Sequence, residues 1–321
     1  MSEFDLINHF FKSTTVNRAD VLLGIGDDCA ILSPPDNKKL AVSTDTLISG
    51  VHFPESASAE DIGYKSLAVN LSDLAAMGAE PAWVSLAISL PEANKVWLKN
   101  FISGFNELAE KFNVALIGGD TTQGPLSVTI NVTGFVDPDK ALKRSNASPG
   151  DFIFVTGDIG DAHLGLKSIL NDNFNNRLTN QQISYCEKKL NRPQPRFDAG
   201  NQLKTFSASA IDISDGLLAD LSHICKASNV GAVLNIDKIP VSDALLNYYQ
   251  DKPDWHSVLT AGDDYELCFT CPKSQSFEMQ KIMKENNVTV SCIGEISENT
   301  EIICKLNNQK LDFEQTGYNH F

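Results

Sequence analysis

The sequence predicts an α+β (mixed α/β) protein built from two domains. Its 321 residues are 42% hydrophobic and 21% charged, a composition typical of globular chains and not of disordered, collagen-like or coiled-coil ones. Strand-like and helix-like segments follow each other in both halves, without the strict alternation of a doubly wound sheet. Turn-forming residues cluster at 137–139 and 147–150, so we expect an N-terminal domain over residues 1–146 and a C-terminal domain over residues 147–321.

In the N-terminal half, hydrophobic periodicity predicts two long helices and five strands. The helices are expected over residues 58–78 and 92–112, and the first has acidic residues in its first turn and a glycine just past its end. We expect Gly118 and Gly119 to break the fourth strand, and the alternation of the fifth is typical of an edge or barrel strand. The strands are expected over residues 21–26, 40–47, 82–90, 114–117 and 126–136.

In the C-terminal half, the same criteria predict helices over residues 161–170 and 217–227 and strands over residues 152–156, 210–213, 265–271 and 288–293. Cys268 and Cys271 form a CxxC within an apolar run, which favours a buried strand over a zinc site because no second pair is suitably spaced. The glycine-rich segment 160–168 has one residue too many before its lysine for a phosphate-binding loop, so we interpret it as a turn entering an amphipathic helix.

The chain is strongly acidic. Its 41 Asp and Glu exceed its 26 Lys and Arg, which gives a formal net charge of -15. Such a chain is a poor binder of nucleic-acid backbones and is repelled by anionic membranes, so we expect no nucleic-acid and no membrane partner. The sequence shows no signal peptide and no apolar stretch long enough to span a bilayer, and its seven cysteines form no disulfide framework, which together predict a cytoplasmic protein with reduced thiols.

Six segments place aspartate where an apolar strand ends in glycine, serine or threonine, or on the helix that follows. Taken alone, each is better explained as a turn former or helix cap, except Asp73, which lies mid-helix where aspartate is a poor helix former. Gathered carboxylates repel each other unless cations are bound, and Mg²⁺ prefers such oxygen ligands together with waters and phosphates. The set therefore predicts several Mg²⁺ ions beside a polyphosphate, and hence phosphoryl transfer. The segments are 24–28, 43–46, 70–73, 118–122, 212–216 and 262–266.

Three further features leave more than one interpretation open. His52 is either a structural residue or a substrate contact, because it follows the segment 43–46 closely. Arg144 is either an ordinary surface residue or a cation for nucleotide phosphates. The aromatic chain end, residues 317–321, is expected to pack against either the core or a flat heteroaromatic ligand. Walker A, dinucleotide and protein-kinase signatures are absent from the sequence, so an ATP site here would bind phosphates through metal ions.

In their order and spacing, the six segments and the chain end Gly-Tyr-x-His-Phe resemble the bacterial thiamine-monophosphate kinase family, which belongs to the PurM-like (AIR synthetase-like) ATP-binding superfamily. The resemblance implies a PurM-like two-domain architecture in which the N-terminal domains of a homodimer form a shared barrel. It also implies that ATP and several Mg²⁺ ions bind in a cleft. The implied reaction passes a phosphoryl group of ATP directly to thiamine monophosphate, in line, and gives thiamine diphosphate.

The resemblance also implies roles for individual residues. Asp120 and Asp212 are expected to be essential for catalysis. ATP contacts are implied for Gly119, Asp120, Arg144 and Ser214, and thiamine-phosphate contacts for His52, Asp263 and Tyr318. Metal ligation is implied for Asp28, Ser43, Thr44, Asp45, Asp73, Asp120, Asp212 and Asp215. Where the family usually has Gly-Gly-Glu-Asp-Tyr-Glu-Leu, this chain has Asp263 in place of the first glutamate, which keeps the charge and shortens the side chain by a methylene.

Three other classes compete with this interpretation. Another PurM-like ATP-dependent enzyme, such as a selenophosphate synthetase or an aminoimidazole ribonucleotide synthetase, would share the superfamily. The N-terminus, however, lacks the glycine-rich loop with a reactive Cys or selenocysteine that is usual in selenophosphate synthetases. A Mg²⁺-dependent phosphohydrolase would use the same aspartates to activate water. A non-catalytic calcium-binding protein is disfavoured because the sequence contains no EF-hand loop.

Overall fold

The computed structural model describes residues 7–12, 16–170, 177–206, 208–313 and 317–318. The chain divides into two compact units. The first comprises Met1–Leu74 and Ala79–Asp139, and the second comprises Ala75–Gly78 and Lys140–Phe321. Both units contain helices and strands, so the mixed α/β class expected from the sequence is confirmed. The predicted boundary between residues 146 and 147 stays a prediction.

The first unit is built around a four-stranded mixed sheet. A π-helical turn, Ile7–Lys12, precedes a small antiparallel pair of strands, β1 (Val21–Leu23) and β2 (Ile31–Leu32). The larger sheet consists of β3 (Lys39–Ile48), β4 (Glu80–Leu90), β5 (Ala115–Gln123) and β6 (Ser127–Val136). Its strand order is β3-β6-β4-β5, with β4 and β5 parallel and the other pairs antiparallel. The long helices are α1 (Ala59–Ala76) and α2 (Lys95–Lys111).

The core of the first unit includes Trp83 of β4, which is almost completely buried. Its ring meets Phe135 edge to face, with 5.0 Å between the centroids, and its Nε1 donates a hydrogen bond to Asp20 Oδ1 at 3.0 Å. Arg18 forms an ion pair with the same carboxylate at 2.6 Å. The hydrogen bond from Arg18 is the main cause that lowers the pKa of Asp20 from its ordinary value. The segment before β1 is therefore anchored to the core through fully partnered polar groups.

One expectation about this sheet is wrong, and one of two alternatives is excluded. Strand β5 is not broken at Gly118 and Gly119 but continues to Gln123, because a bulge in its pairing with β4 absorbs the irregularity. Strand β6 was expected to be an edge or a barrel strand, and the edge alternative is excluded because β6 pairs with β3 on one side and with β4 on the other. The barrel expected for a dimer stays a prediction.

The described residues of the second unit form a seven-stranded mixed sheet. Its strands are β7 (Phe152–Thr156), β8 (Ala210–Asp212), β9 (Gly231–Asn235), β10 (Leu267–Cys271), β11 (Val290–Ser297), β12 (Ile302–Leu306) and β13 (Gln309–Leu311). They are ordered β13-β12-β9-β11-β7-β10-β8. The β12–β9 pair is parallel and the other pairs are antiparallel.

Helices accompany this sheet, and apolar side chains cover both of its faces. Ile153 and Val155 of β7 belong to one core cluster, whereas Phe154 between them belongs to another, as strand alternation requires. Cys268 and Cys271 are buried free thiols within β10, as the strand interpretation of this CxxC requires. No helix among the described ranges has both the length and the apolarity needed to cross a membrane. The helices are α3 (Asp161–Leu170), α4 (Asn180–Asn191), α5 (Phe197–Leu203), α6 (Leu217–Ser228), α7 (Asp243–Tyr249), α8 (Trp255–Thr260) and α9 (Ser276–Glu285).

Candidate functional site

Three of the residues proposed as metal ligands lie together where β3 faces α1. Ser43 Oγ donates a hydrogen bond to the Asp73 carboxylate. Asp45 follows two residues later on β3 and therefore points to the same face of the sheet as Ser43. Its backbone N–H donates to Asn70 Oδ1 at 3.2 Å, and the amide of this buried asparagine donates in turn to Ser66 O at 3.0 Å. The middle of α1 thus fixes this segment of β3 through Asn70 and Asp73, which are one helical turn apart.

Two other residues of the predicted metal set lie elsewhere in the first unit. The side chain of Thr44 lies on the opposite face of β3 from its neighbours, where its Oγ1 accepts a hydrogen bond from Asn131 Nδ2 at 2.6 Å. Asp120 lies on β5, which is the other outer strand of the sheet. Three strand spacings of about 4.8 Å each place β3 and β5 roughly 14 Å apart. Asp120 and Asp45 of the same chain are therefore too far apart to bind one cation together.

A cleft of about 480 Å³ lies where the loop after β1 meets β5. Its lining includes three predicted site residues, Asp28, Gly119 and Asp120, and also Lys12. The loop turns at Gly26, and Lys12 Nζ lies only 2.6 Å from the position that a Cβ of this glycine would occupy. The carboxylates of Asp27, Asp28 and Asp120, one ammonium group and exposed glycine backbone therefore share one concave surface. Such a surface suits a phosphate-bearing ligand that carries cations.

Gly119 permits the close approach of β5 to β4 beside this cleft. Its φ is +152°, and a Cβ at this position would lie 1.8 Å from the carbonyl oxygen of Leu86. Nothing lies within 4 Å of the corresponding position at Gly118. Position 119 therefore requires glycine for steric reasons, and the next residue, Asp120, is in register with Ala87 of β4.

The predicted substrate contact His52 lies in the turn after β3. Its Nδ1 accepts a hydrogen bond from the backbone N–H of Ile48 at 3.1 Å, so in the neutral ring Nε2 carries the hydrogen and acts as the donor. The carbonyl oxygen of His52 accepts a hydrogen bond from Lys65 Nζ at 3.1 Å, and this lysine is buried. Both contacts fix the orientation of the turn and of the imidazole.

In the second unit, five predicted site residues meet around the loop between β8 and α6. Asp212 ends β8 and is buried. The carbonyl of Ser214 accepts a hydrogen bond from the N–H of Asp263 at 2.9 Å, and the carbonyl of Asp215 accepts one from the N–H of Tyr318 at 3.0 Å. Three distant segments of the chain are thereby joined through main-chain atoms.

Asp220 holds the same loop from the interior side. Its Oδ2 accepts hydrogen bonds from the backbone N–H groups of Ser214 and Asp215 at 3.0 and 3.1 Å, and the residue is only 2% exposed. Burial, followed by the nearby Asp215 carboxylate, raises the pKa of Asp220 to about 7. The six sequence segments do not include this residue. The sequence could have indicated Asp220 through its position within the apolar stripe of α6. A carboxylate buried there must find hydrogen-bond donors.

The loop that carries Asp263 has an uncommon backbone conformation, with φ +71° at this residue. Aspartate populates the left-handed region more readily than most residues, so the shorter side chain at position 263 suits its backbone. The next residue, Asp264, is buried and accepts hydrogen bonds from the N–H of Gly160 at 3.0 and 3.1 Å. Burial raises the pKa of Asp264 well above its ordinary value. Glu266 is also buried and accepts a hydrogen bond from Arg196 Nε at 2.6 Å, so both buried acids anchor this loop.

Arg144 has a fixed backbone and an exposed side chain. Its carbonyl accepts hydrogen bonds from Ser209 Oγ at 3.0 Å and Ser228 Oγ at 2.8 Å. Burial, followed by the positive charge of Arg144, lowers the pKa of His223 on α6, which places the guanidinium beside that helix. Tyr318 is 52% exposed. The remaining residues of the aromatic chain end, 319–321, lie outside the described residues, and their packing stays a prediction.

Comparison with known proteins relates both units to one family. Residues 26–136 match the AIR synthase related protein, N-terminal domain, and residues 148–307 match the AIR synthase related protein, C-terminal domain. The thiamine-monophosphate kinase of Buchnera aphidicola subsp. Acyrthosiphon pisum (strain APS) is 44% identical over 325 residues, which cover 100% of this chain and 99% of that protein. The thiamine-monophosphate kinase of Escherichia coli (strain K12) is 43% identical and covers 99% of this chain and 98% of its own.

Solved structures give the same relationship. The thiamine-monophosphate kinase of Stenotrophomonas maltophilia K279a superposes with a TM-score of 0.87 at 43% identity, covering 97% of this chain and 98% of that one. AaThiL complexed with AMPPCP and TMP superposes with a TM-score of 0.76 at 27% identity, covering 99% and 97%. Because sequence, both domain models and fold agree over nearly the whole length, the chain belongs to the thiamine-monophosphate kinase family and has the PurM-like two-domain fold of AIR synthase related proteins.

Proposed function

We propose that this chain transfers a phosphoryl group from ATP to thiamine monophosphate and releases ADP and thiamine diphosphate. The observation that carries the proposal is the full-length relationship to thiamine-monophosphate kinases at 43–44% identity. The related AaThiL was solved with TMP and with AMPPCP, a non-hydrolysable analogue of ATP. The enzyme is accordingly a phosphotransferase whose acceptor is itself a phosphate group.

The acceptor needs no strong general base. A phosphate monoester carries about 1.5 to 2 negative charges at neutral pH, so its attacking oxygen is already deprotonated or nearly so. The principal barrier is the repulsion between two anions that must approach each other. Residues that position the two phosphates and offset their charge therefore suffice for a direct in-line transfer without a phosphorylated enzyme.

The donor chemistry of the first unit fits Mg²⁺. Ser43, Asp45 and Asp73 offer hydroxyl and carboxylate oxygens, which are the ligands that this cation prefers. No group of three or more Asp, Glu, His or Cys side chains placed to hold a metal ion occurs among the described residues, and Mg²⁺ normally completes its shell with waters and substrate phosphates. When bound, Mg²⁺ offsets the charge of the reacting phosphates. The residues proposed to hold it are Asp28, Ser43, Thr44, Asp45, Asp73, Asp120, Asp212 and Asp215.

The remaining residues bind and orient the two substrates. His52 is proposed to donate from Nε2–H to an oxygen of the acceptor phosphate, since its Nδ1 already accepts from the N–H of Ile48. Thiamine carries a positive thiazolium ring, which the Asp263 carboxylate attracts and on which the exposed ring of Tyr318 can stack. On the nucleotide side, Arg144 offers a planar guanidinium to phosphate oxygens, and the backbone at Gly119 allows close approach. Ser214 supplies a further hydroxyl.

We also propose that the working form is a homodimer. Leu40, Val42 and Ile48 on β3 are 50%, 58% and 41% exposed and share one face of this strand, so an apolar surface is left uncovered on an outer strand. A second copy that pairs through this region, as in the expected shared barrel, would cover these side chains. If the outer strand β3 of one copy pairs with the outer strand β5 of the other in this barrel, Asp120 of one copy would come near Asp45 of the other.

We also propose a cytoplasmic location and a domain boundary after residue 146. All seven cysteines are free thiols, and five of them are buried. Unpaired thiols are typical of proteins that work in a reducing compartment.

Product analysis tests the proposed reaction. The protein is incubated with ATP, Mg²⁺ and thiamine monophosphate, and chromatography then quantifies thiamine diphosphate, ADP and free phosphate, with a reaction lacking thiamine monophosphate as control. We expect thiamine diphosphate and ADP in equal amounts. Free phosphate without thiamine diphosphate would identify a phosphohydrolase, and ATP turnover that needs a different acceptor would identify another PurM-like enzyme. A covalent phosphate trapped on a histidine or aspartate would contradict direct transfer.

Replacing Asp263 with asparagine is expected to raise the KM for thiamine monophosphate roughly tenfold and to change the KM for ATP much less, because a charge that attracts the thiazolium is lost. Asparagine tolerates the same left-handed backbone, so the fold is retained. Steady-state kinetics with each substrate varied in turn measures the effect. Asp251 has φ +58° and is exposed in the turn after α7, so Asp251→Asn is the matched control. Equal KM values for Asp263→Asn and the unmodified chain would rule out the contact.

A further inference from the structure

The dipeptide Ser214–Asp215 is held through all four of its backbone hydrogen-bonding groups. Its two N–H groups donate to Asp220 at 3.0 and 3.1 Å. Its two carbonyl groups accept from the N–H groups of Asp263 and Tyr318 at 2.9 and 3.0 Å. The dipeptide therefore has little freedom to rotate, and the direction of its two side chains follows from these four contacts.

These contacts connect residues assigned to different substrates. Ser214 and Asp215 are proposed for the nucleotide and its cation, whereas Asp263 and Tyr318 are proposed for the thiamine phosphate. The two carbonyl contacts run to the acceptor side, and the two N–H contacts run inward to a single buried carboxylate. Asp220 is thus the only one of the three partners that holds the dipeptide without itself being assigned to a substrate.

The chemistry of Asp220 suits this task. Both N–H groups bind one oxygen, Oδ2, so a single acceptor sets the distance between them and the helix α6. Hydrogen bonds to an acidic group are among the stronger ones in proteins, and a buried N–H without an acceptor is costly. The adjoining Gly216 has φ +117° and redirects the chain into α6, so the dipeptide lies directly before the helix that carries Asp220.

We propose that Asp220 is a positioning residue for phosphoryl transfer, which keeps the Ser214–Asp215 dipeptide aimed at the nucleotide and its cation. It contacts neither substrate and acts only through the backbone of the two residues that do. This inference rests on the proposed function. It extends that function by assigning a role to a buried acid outside the six aspartate segments.

Binding of Mg²⁺ with a non-hydrolysable ATP analogue, measured by calorimetry, tests the proposal. We expect Asp220→Ala to weaken binding by more than about tenfold, because two buried N–H groups lose their acceptor. Asp220→Asn is expected to stay within about threefold of the unmodified chain, since its carbonyl oxygen can replace Oδ2. Hydrogen exchange should show that the amides of residues 214 and 215 lose protection in Asp220→Ala and keep it in Asp220→Asn.

Asp151 provides a matched control. It is buried, and its Oδ2 accepts a hydrogen bond from the backbone N–H of Ser148 at 2.9 Å. It lies at the other end of the β7–β10 pair, because Phe152 pairs with Cys271 whereas the site loop precedes Leu267. Asp151→Ala is therefore expected to lower the melting temperature without changing the affinity for the analogue.

Three results would overturn the proposal: unchanged affinity in Asp220→Ala, an equal loss in Asp220→Asn and Asp220→Ala, or an equal loss in Asp151→Ala. If Asp220→Ala does not fold, Asp220→Ser is used, because its shorter side chain cannot bind both N–H groups. Affinity equal to that of the unmodified chain in this variant would also overturn the proposal. Turnover of the unmodified chain is measured separately. A failure to form thiamine diphosphate would refute the proposed function, while the affinity comparison would still decide the role of Asp220.

Discussion

Replacing Asp120 with asparagine is expected to reduce the turnover of thiamine monophosphate by more than about tenfold, because a cation beside the reacting phosphates loses a charged ligand. Asp120 is exposed at the edge of the sheet and lines the cleft, so the unfolding free energy should change by less than about 0.5 kcal/mol. The same loss of turnover is expected for Asp212→Asn at the end of β8. The kcat at saturating ATP, measured over a range of Mg²⁺ concentrations, gives the effect.

The control for these variants is Asp36→Asn. Asp36 is exposed in the turn between β2 and β3 and carries the same charge, so it reports the effect of simply lowering the net negative charge. Turnover in Asp36→Asn should equal that of the unmodified chain. Near-normal turnover in both Asp120→Asn and Asp212→Asn would refute the proposed metal shell.

Replacing Gly119 with alanine is expected to lower the unfolding free energy by about 3 kcal/mol or more and to abolish most activity. The added Cβ would lie 1.8 Å from the carbonyl oxygen of Leu86, which belongs to the backbone of β4 and cannot rotate away. The backbone at φ +152° adds strain for any residue with a Cβ. To relieve the clash, β4 and β5 must separate or the bulge between them must move. Denaturant unfolding measures the resulting loss of unfolding free energy.

The neighbouring Gly118 provides the matched control for this prediction. Nothing lies within 4 Å of a Cβ at position 118, so Gly118→Ala should be nearly neutral in stability although the chemical change is identical. If both variants unfold at the same denaturant concentration, then the close approach of β4 and β5 does not depend on Gly119.

Periodicity predicted the elements that carry most of the site, since strands and helices with strong apolar patterns are local properties of the chain. The helix around Asp73, strand β3 and strand β8 are expected from the sequence and present in the structure. Strand β5 was mispredicted at Gly118 and Gly119, because a local pattern cannot show that another strand runs beside the glycines. Helices such as α5 and α8 are only 7 and 6 residues long, which is too short for a helical period to stand out.

The arrangement of the site residues depended on contacts that no local pattern contains. The motifs indicated that Asp212, Ser214 and Asp263 matter, but the hydrogen bonds that join their loops span about fifty residues of sequence. The separation of Asp45 from Asp120 follows from strand order, which the sequence does not reveal. Asp220 required both the helix and its burial to be known before its two N–H donors could be recognised.

The loop after β8 is linked to Asp263 and Tyr318 by main-chain atoms, and this affects which substitutions these two positions can accept. Every residue except proline keeps a backbone N–H, so a substitution at position 263 or 318 that tolerates the existing backbone leaves the connection intact. With the proposed roles of these residues, single substitutions at 263 or 318 are expected to change acceptor recognition while Ser214 and Asp215 stay in place. Position 263 is therefore the starting point that we choose for directed evolution toward other phosphate acceptors.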